Sequence, residues 1–235
     1  MVCALKEIEE DFAQFNLTWS AVKNKLIEVG LADMANRISD CIREPNKPCP
    51  FQLASFAMSS LVLKNVKNIL EIGTSAGKSA FALSRLFPKS MVYTIDIGKG
   101  DPNYSISYRG IQEGASTEER RLAFEKNTMA DNIKFIKSNS FFLPSLGLPE
   151  KFEFIFVDGD HKFPQVAGDI MFAYGRIRNG GFLFMHDYNQ LGTLANNVKE
   201  VVDWVGARIK EKIILLMGDT RPSDGKMALI VKADD

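Results

Sequence analysis

Seven short β-like runs, NILEI, MVYTID, IKFIK, FEFIFVD, GFLFMHD, IILLM and MALIVK, recur along the chain, and a segment of helix length lies between most of them. Strands alternating with helices make an α/β domain with a largely parallel sheet, because parallel neighbours need a crossover that carries the chain back to the same edge. The central runs are continuously apolar rather than alternating, as strands covered on both faces are. Only the turn-like DTRPSDG stands between the last two runs, so these should pair antiparallel. The expected fold is α/β, with a seven-stranded, mostly parallel sheet, an antiparallel last strand and helices on both faces.

Ahead of the sheet, residues 4–44 read as helices: ALKEIEEDFAQF has apolar positions at helical spacing, and Thr18 suits the cap of a second segment reaching Gly30. EPNKPCP breaks the chain, and FQLASFAMSSLVLKN then reads as a mostly apolar helix. This divides the protein into a helical N-terminal extension, residues 1–49, serving as cap, dimerisation element or substrate side, and a main domain, residues 50–235. The polar, Gly-rich stretch 98–115 is long for a compact domain and reads as either a lid or a surface excursion, with Ser116 and Glu119 at capping-box spacing for the helix behind it.

Composition bears on the partner. Lys+Arg and Asp+Glu are both 29, so the basic excess of proteins that grip nucleic-acid backbones is absent and a small molecule is the expected partner. Three cysteines, Cys3, Cys41 and Cys49, form neither a CxxC pair nor a disulfide framework, which suits reduced thiols in a cytoplasmic protein. The N-terminal residues turn acidic before a signal core develops, and no apolar run approaches the ~20 residues of a membrane span.

ILEIGTSAGKS places Gly73 and Gly77 where a strand turns into a helix. Gly73 would permit a tight turn, Gly77 would let the backbone approach a ligand, and the helix start offers free N–H groups to a nucleoside cofactor. The dinucleotide fingerprint G-x-G-x-x-G fails at Ser75 and Lys78, and the P-loop G-x-x-x-x-G-K-[ST] misses by one residue. Asp96 ends the next strand, about twenty residues on, where an acid can accept from both ribose hydroxyls. Glu71, a carboxylate in an apolar strand, needs a partner. Asn139 and Ser140 follow the third strand, and the Asn139 amide can pair with an adenine edge, although turn chemistry explains SNS equally well.

Both histidines of the chain stand beside aspartates at the ends of neighbouring strands: Asp158-Gly159-Asp160-His161 after the fourth and His186-Asp187-Tyr188 after the fifth. Adjacent strands lie about 4.8 Å apart, so Asp158 and Asp187 can approach one Mg²⁺, with His186 or Asp160 completing its shell. His161 suits a general base, since an imidazole titrates near neutrality. Acids at strand ends also cap helices, and a lone histidine is often structural.

Together, ILEIGTSAGKS, YTID, FIFVDGDHKFPQVAGDI and GGFLFMHDYN resemble the methyltransferase family 24 group, class I enzymes related to the metal-dependent catechol and caffeoyl-coenzyme A O-methyltransferases, over roughly residues 50–232. The resemblance implies a Rossmann-like methyltransferase fold with S-adenosylmethionine on the turn that holds Gly73, Thr74, Ser75, Gly77 and Ser79. It places Glu71 near the amino-acid end of the cofactor, Asp96 at the ribose, Asn139 and Ser140 at the adenine, and Asp158 between cofactor and catalysis. It implies His161 in the place of the base, and Asp158 and Asp187 in the places of metal ligands. Tyr188 replaces an asparagine ligand of the metal-dependent relatives, which leaves metal-free catalysis with His161 as base open. The reaction expected is methyl transfer to a hydroxyl of a small metabolite. The alternatives are an NAD(P)-dependent oxidoreductase, which Ser75 opposes, and a non-catalytic S-adenosylmethionine-binding module, which the Asp/His cluster opposes. Apolar faces on 4–30 and 51–63 suit a homodimer or packing on the protein's own sheet.

Overall fold

In the computed structural model, residues 2–44, 49–97, 117–188, 197–218 and 226–234 are described. The stretch 98–115, read as a lid or a surface excursion, and Ser116 lie outside them. The strands are β1 (Asn68–Ile72), β2 (Met91–Asp96), β3 (Ile133–Lys137), β4 (Phe152–Val157), β5 (Ile177–Met185), β6 (Ile213–Met217) and β7 (Lys226–Val231). They form one sheet in the order β3-β2-β1-β4-β5-β7-β6. All the pairings up to β5 are parallel, whereas β7 runs antiparallel to both β5 and β6. This is the mostly parallel seven-stranded sheet expected from the strand pattern, and the Rossmann-like fold that the family resemblance implies. The order turns back between β1 and β4, and ligands of open α/β sheets bind at the carboxyl ends of such strands.

The helices are α1 (Val2–Ala13), α2 (Trp19–Glu28), α3 (Ala32–Arg43), α4 (Phe51–Val62), α5 (Lys78–Leu86), α6 (Thr117–Thr128), α7 (Gln165–Arg176) and α8 (Val198–Gly206). Thr18 caps α2 as expected, its hydroxyl accepting from Ala21 N at 3.2 Å. Successive strand residues face opposite ways, and this sorts the core into two layers. Phe154, Phe156, Phe182 and Phe184 face one side with α1 to α5, while Ile155, Val157, Leu183 and Met185 face the other with α7 and α8. Phe152 joins the second layer despite its even number, because the register of β4 and β5 shifts between Phe152 and Phe154. The apolar faces of 4–30 and 51–63 are spent within the chain: α4 buries Phe51 to Ser59, and Phe56 stands edge-on to Phe154, Phe156 and Phe184.

α1 reaches the carboxyl end of the sheet from outside. Asp11 accepts from Met217 N at 2.8 Å, and Glu7 lies 3.5 Å from Lys226. Burial pushes the Asp11 carboxyl up to about 6, against the lowering effects of the Met217 N–H and Lys226.

Candidate active site

The glycine turn is shaped by what lies behind it. Gly73 has φ +102°, and a Cβ there would meet the Asp158 carbonyl oxygen at 2.1 Å. It therefore serves a tight turn that presses on the loop after β4. Gly77, at φ +72°, stands against α6: a Cβ would lie 3.0 Å from Thr128 Cγ2 and 3.1 Å from Asn127 Cβ. Asn127 Nδ2 also donates to Ala76 O at 2.8 Å. Glycine at 77 thus also makes room for a helix, a constraint that sequence reasoning did not supply. Ser75 has φ +47°, and its N–H donates to Asp96 Oδ2 at 2.7 Å, while Ile97 N donates to Oδ1 at 2.8 Å. These two bonds aim Asp96 at the mouth of the turn. Ser79 lies half-buried in the first turn of α5.

Glu71 has its partner across the β1/β2 pair. Register sets it opposite Thr94, whose hydroxyl donates to Glu71 Oε2, and Thr94 and Thr74 share a hydrogen bond of 2.6 Å. Glu71 is fully buried, and its Oε1 has no hydrogen bond among the described residues. Burial pushes its pKa well above the usual range, more than Thr94 lowers it, with Asp158 and Asp96 adding repulsion. Its Oε1 lies beside the turn without a hydrogen bond among the described residues.

After β3, Asn139 Oδ1 accepts from Phe141 N at 3.0 Å and so caps the short 3₁₀ segment Ser140–Ser145. Its amide NH₂ makes no hydrogen bond among the described residues. Ser140 is bonded to Gln165 Nε2 on α7.

At the ends of β4 and β5 the four expected side chains converge. His161 Nε2 lies 3.4 Å from Asp158 Oδ1, and its Nδ1 lies 3.5 Å from Asp187 Oδ2. His186 Nδ1 stands 3.2 Å from an oxygen of each aspartate. The side chain of His161 is 26% accessible and that of His186 only 7%, so His161 is the one open to solvent. Asp187 has φ +52°, a left-handed turn that aspartate tolerates and that brings its carboxylate back over the site. Burial lowers the pKa of both imidazoles, but the two carboxylates outweigh it and raise His161, and raise His186 further. Burial raises Asp158, but the charge and hydrogen bonds of the two histidines hold it well below the usual carboxylate range.

Ligand atoms of Asp158, His161 and Asp187 all lie within 4.8 Å of one another. Two carboxylates and an imidazole at that spacing fit a divalent cation. The set expected from sequence had His186 in place of His161; His186 is instead stacked edge-on to Phe156 behind the aspartates. Asp160 turns away and accepts from Lys162 N at 3.1 Å. Tyr188 also leaves the site, its hydroxyl donating to Asp203 on α8 at 2.6 Å. Asn197, just before α8, donates its N–H to the His161 carbonyl at 2.8 Å and accepts from Phe163 N at 3.0 Å. Sequence reasoning passed over Asn197, which lies far along the chain, and Thr94, whose polar place in MVYTID was the available signal.

A family model described as a methyltransferase domain, methyltransferase family 24, matches residues 70–188, and the chain belongs to that family. The protein is an S-adenosylmethionine-dependent methyltransferase. Among solved structures it is similar to the O-methyltransferase of Bacillus cereus in complex with S-adenosylhomocysteine, at 17% identity over 91% of each chain and a TM-score of 0.54. It is similar to TomG of Streptomyces achromogenes, an O-methyltransferase of tomaymycin synthesis in complex with S-adenosylmethionine, at 18% identity over 99% of this chain and 100% of that one, TM-score 0.54. The N-methyltransferase NodS of Bradyrhizobium japonicum WM9 shares the fold at 18% identity over 82% of this chain and 96% of that one, TM-score 0.51. A comparison with curated proteins gives no match.

Proposed function

We propose that the protein transfers the methyl of S-adenosylmethionine to a hydroxyl oxygen of a small metabolite, with His161 as general base. The observation that carries this reading is the accessible His161 imidazole between two carboxylates, beside the glycine turn. The cofactor would lie across residues 73–77, its ribose on Asp96, its adenine against the Asn139 amide and Ser140, and its amino-acid end near Glu71. Asp158 and Asp187 orient His161 and stabilise the imidazolium it becomes on taking the acceptor's proton.

Asp158 and Asp187 would also hold Mg²⁺, which prefers oxygen and leaves the imidazole to the proton; a softer cation would recruit His161 as its third ligand. When bound, such an ion supplies positive charge that acidifies a hydroxyl. We place the protein in the cytoplasm, in keeping with three cysteines whose spacing forms neither a CxxC pair nor a disulfide framework. Among the described residues no helix is long and apolar enough to cross a membrane. The similarity to O-methyltransferases supports oxygen as the acceptor atom.

Calorimetric titration with S-adenosylmethionine and S-adenosylhomocysteine, in Mg²⁺ and then in EDTA, tests the reading. Micromolar binding supports the cofactor site, and metal dependence bears on the aspartates. A folded sample that binds neither compound rules the reading out.

A further inference from the structure

Between the turn after β3 and the loop after β4 lies a carboxyl group that the proposed reaction does not use. Asp169, on α7, is 1% exposed. Its Oδ1 accepts from Gln165 Nε2 at 2.9 Å, one helical turn back. Gln165 reaches onward to Ser140 Oγ, so its amide bridges Ser140 and the Asp169 carboxyl. On its other side, a Cβ at Gly159 would stand 3.1 Å from Asp169 Oδ2. The carboxyl therefore lies directly against the residue that follows Asp158. Oδ2 is buried without a hydrogen bond among the described residues, which costs stability. Burial pushes the group up to about 6, with the nearby Ser140 and Gln165 pulling it down and Asp160 pushing it further up. Stability alone is a poor reason for an acid at this place, since a neutral asparagine would fill the same space.

We infer that Asp169 is a positioning residue coupling the two ends of the cofactor site, so that occupancy of the Asp96–Asn139 end is felt by the Asp158–His161 loop. This rests on the S-adenosylmethionine reading above. A ligand that draws on Asn139 moves Ser140, its chain neighbour. Ser140 and Gln165 hold one side of the carboxyl, and the other side bears on Gly159, which has no side chain to absorb a displacement. The link is three contacts long.

Because the chain has two histidines and both lie in the site, their imidazole resonances report on the loop alone. Adenosine is the probe, since it carries the base and ribose but lacks the amino-acid arm that would reach Asp158. In the wild-type protein, adenosine should shift the His161 resonances. In Asp169→Asn the shift should be lost although the protein melts no lower, and S-adenosylhomocysteine should bind roughly tenfold more weakly, an ordinary coupling between linked sites. Ser140→Ala should also lose the shift, and the double variant should lose no more affinity than either single one. A shift that persists in Asp169→Asn overturns the inference, as does a wild-type protein that binds adenosine with no response at His161. An Asp169→Asn protein whose melting temperature and affinity fall together makes the residue a packing group and also overturns it. Should that variant not fold, Ser140→Ala decides, read at saturating adenosine so that a weakened contact with the base does not enter. A wild-type protein that binds neither adenosine nor S-adenosylhomocysteine overturns the cofactor reading itself, a result separate from any variant.

Discussion

In the proposed reaction His161 takes the acceptor's proton, and its two carboxylate neighbours act on it in a known direction. The carboxylates raise its pKa, so its neutral form grows with rising pH and the imidazolium formed after proton transfer is stabilised. Replacing it with alanine should lower turnover about 10²- to 10⁴-fold, the usual contribution of a general base, while S-adenosylhomocysteine affinity measured by calorimetry stays near wild type. Gly73 is the opposite case. A Cβ 2.1 Å from the Asp158 carbonyl cannot be accommodated in place, and the backbone there is left-handed. Gly73→Ala should lose both cofactor binding and melting temperature, checked by the same calorimetry and a thermal scan. The residue types of the site were legible in the sequence because charge and imidazole stand out at the ends of apolar strands. Their second tasks were not. Gly77 meets α6 and Tyr188 bonds Asp203, and each partner is remote in the chain.

At the scale of elements, strands proved more readable than what joins them. Runs such as FEFIFV are apolar on both faces because helices cover both, and that signal is local. The start of β5 at Ile177, ahead of the GFLFMHD run, is set by pairing with Phe152 across a register shift, which no local pattern announces. α4 supplies the central contact of one layer through Phe56, and Phe56→Ala should cost about 3–5 kcal/mol in denaturant unfolding. α1 carries a burden instead. The folded form holds the Asp11 proton more tightly than the unfolded chain, so stability present below pH 3.8 is lost as the pH rises through about 6. A rise of that size is worth at most about 3 kcal/mol. Asp11→Asn keeps an acceptor for Met217 N and should melt higher than wild type at pH 8, with the difference vanishing near pH 4.

The whole molecule is a sheet with its site at one end and its helices in two layers. Its class was readable because the order of strands and helices along the chain carries the topology. The insertion of β7 between β5 and β6 follows from antiparallel pairing on both sides, of which the sequence announced only one. A ligand lying across the ends of β1, β2 and β4 bridges several elements and binds only the folded form. S-adenosylhomocysteine at one hundred times its dissociation constant should therefore raise the melting temperature by about 5–10 °C in a scanning experiment.

The contact between Gly73 and the Asp158 backbone also constrains how such a chain can change over generations. A lineage drifting away from catalysis can discard His161 by a single substitution and keep its cofactor. It cannot discard Gly73 without first redrawing the path of the chain at Asp158. Descendants that have lost the reaction should keep this glycine long after the histidine has gone, and a surviving glycine is the poorer witness to activity.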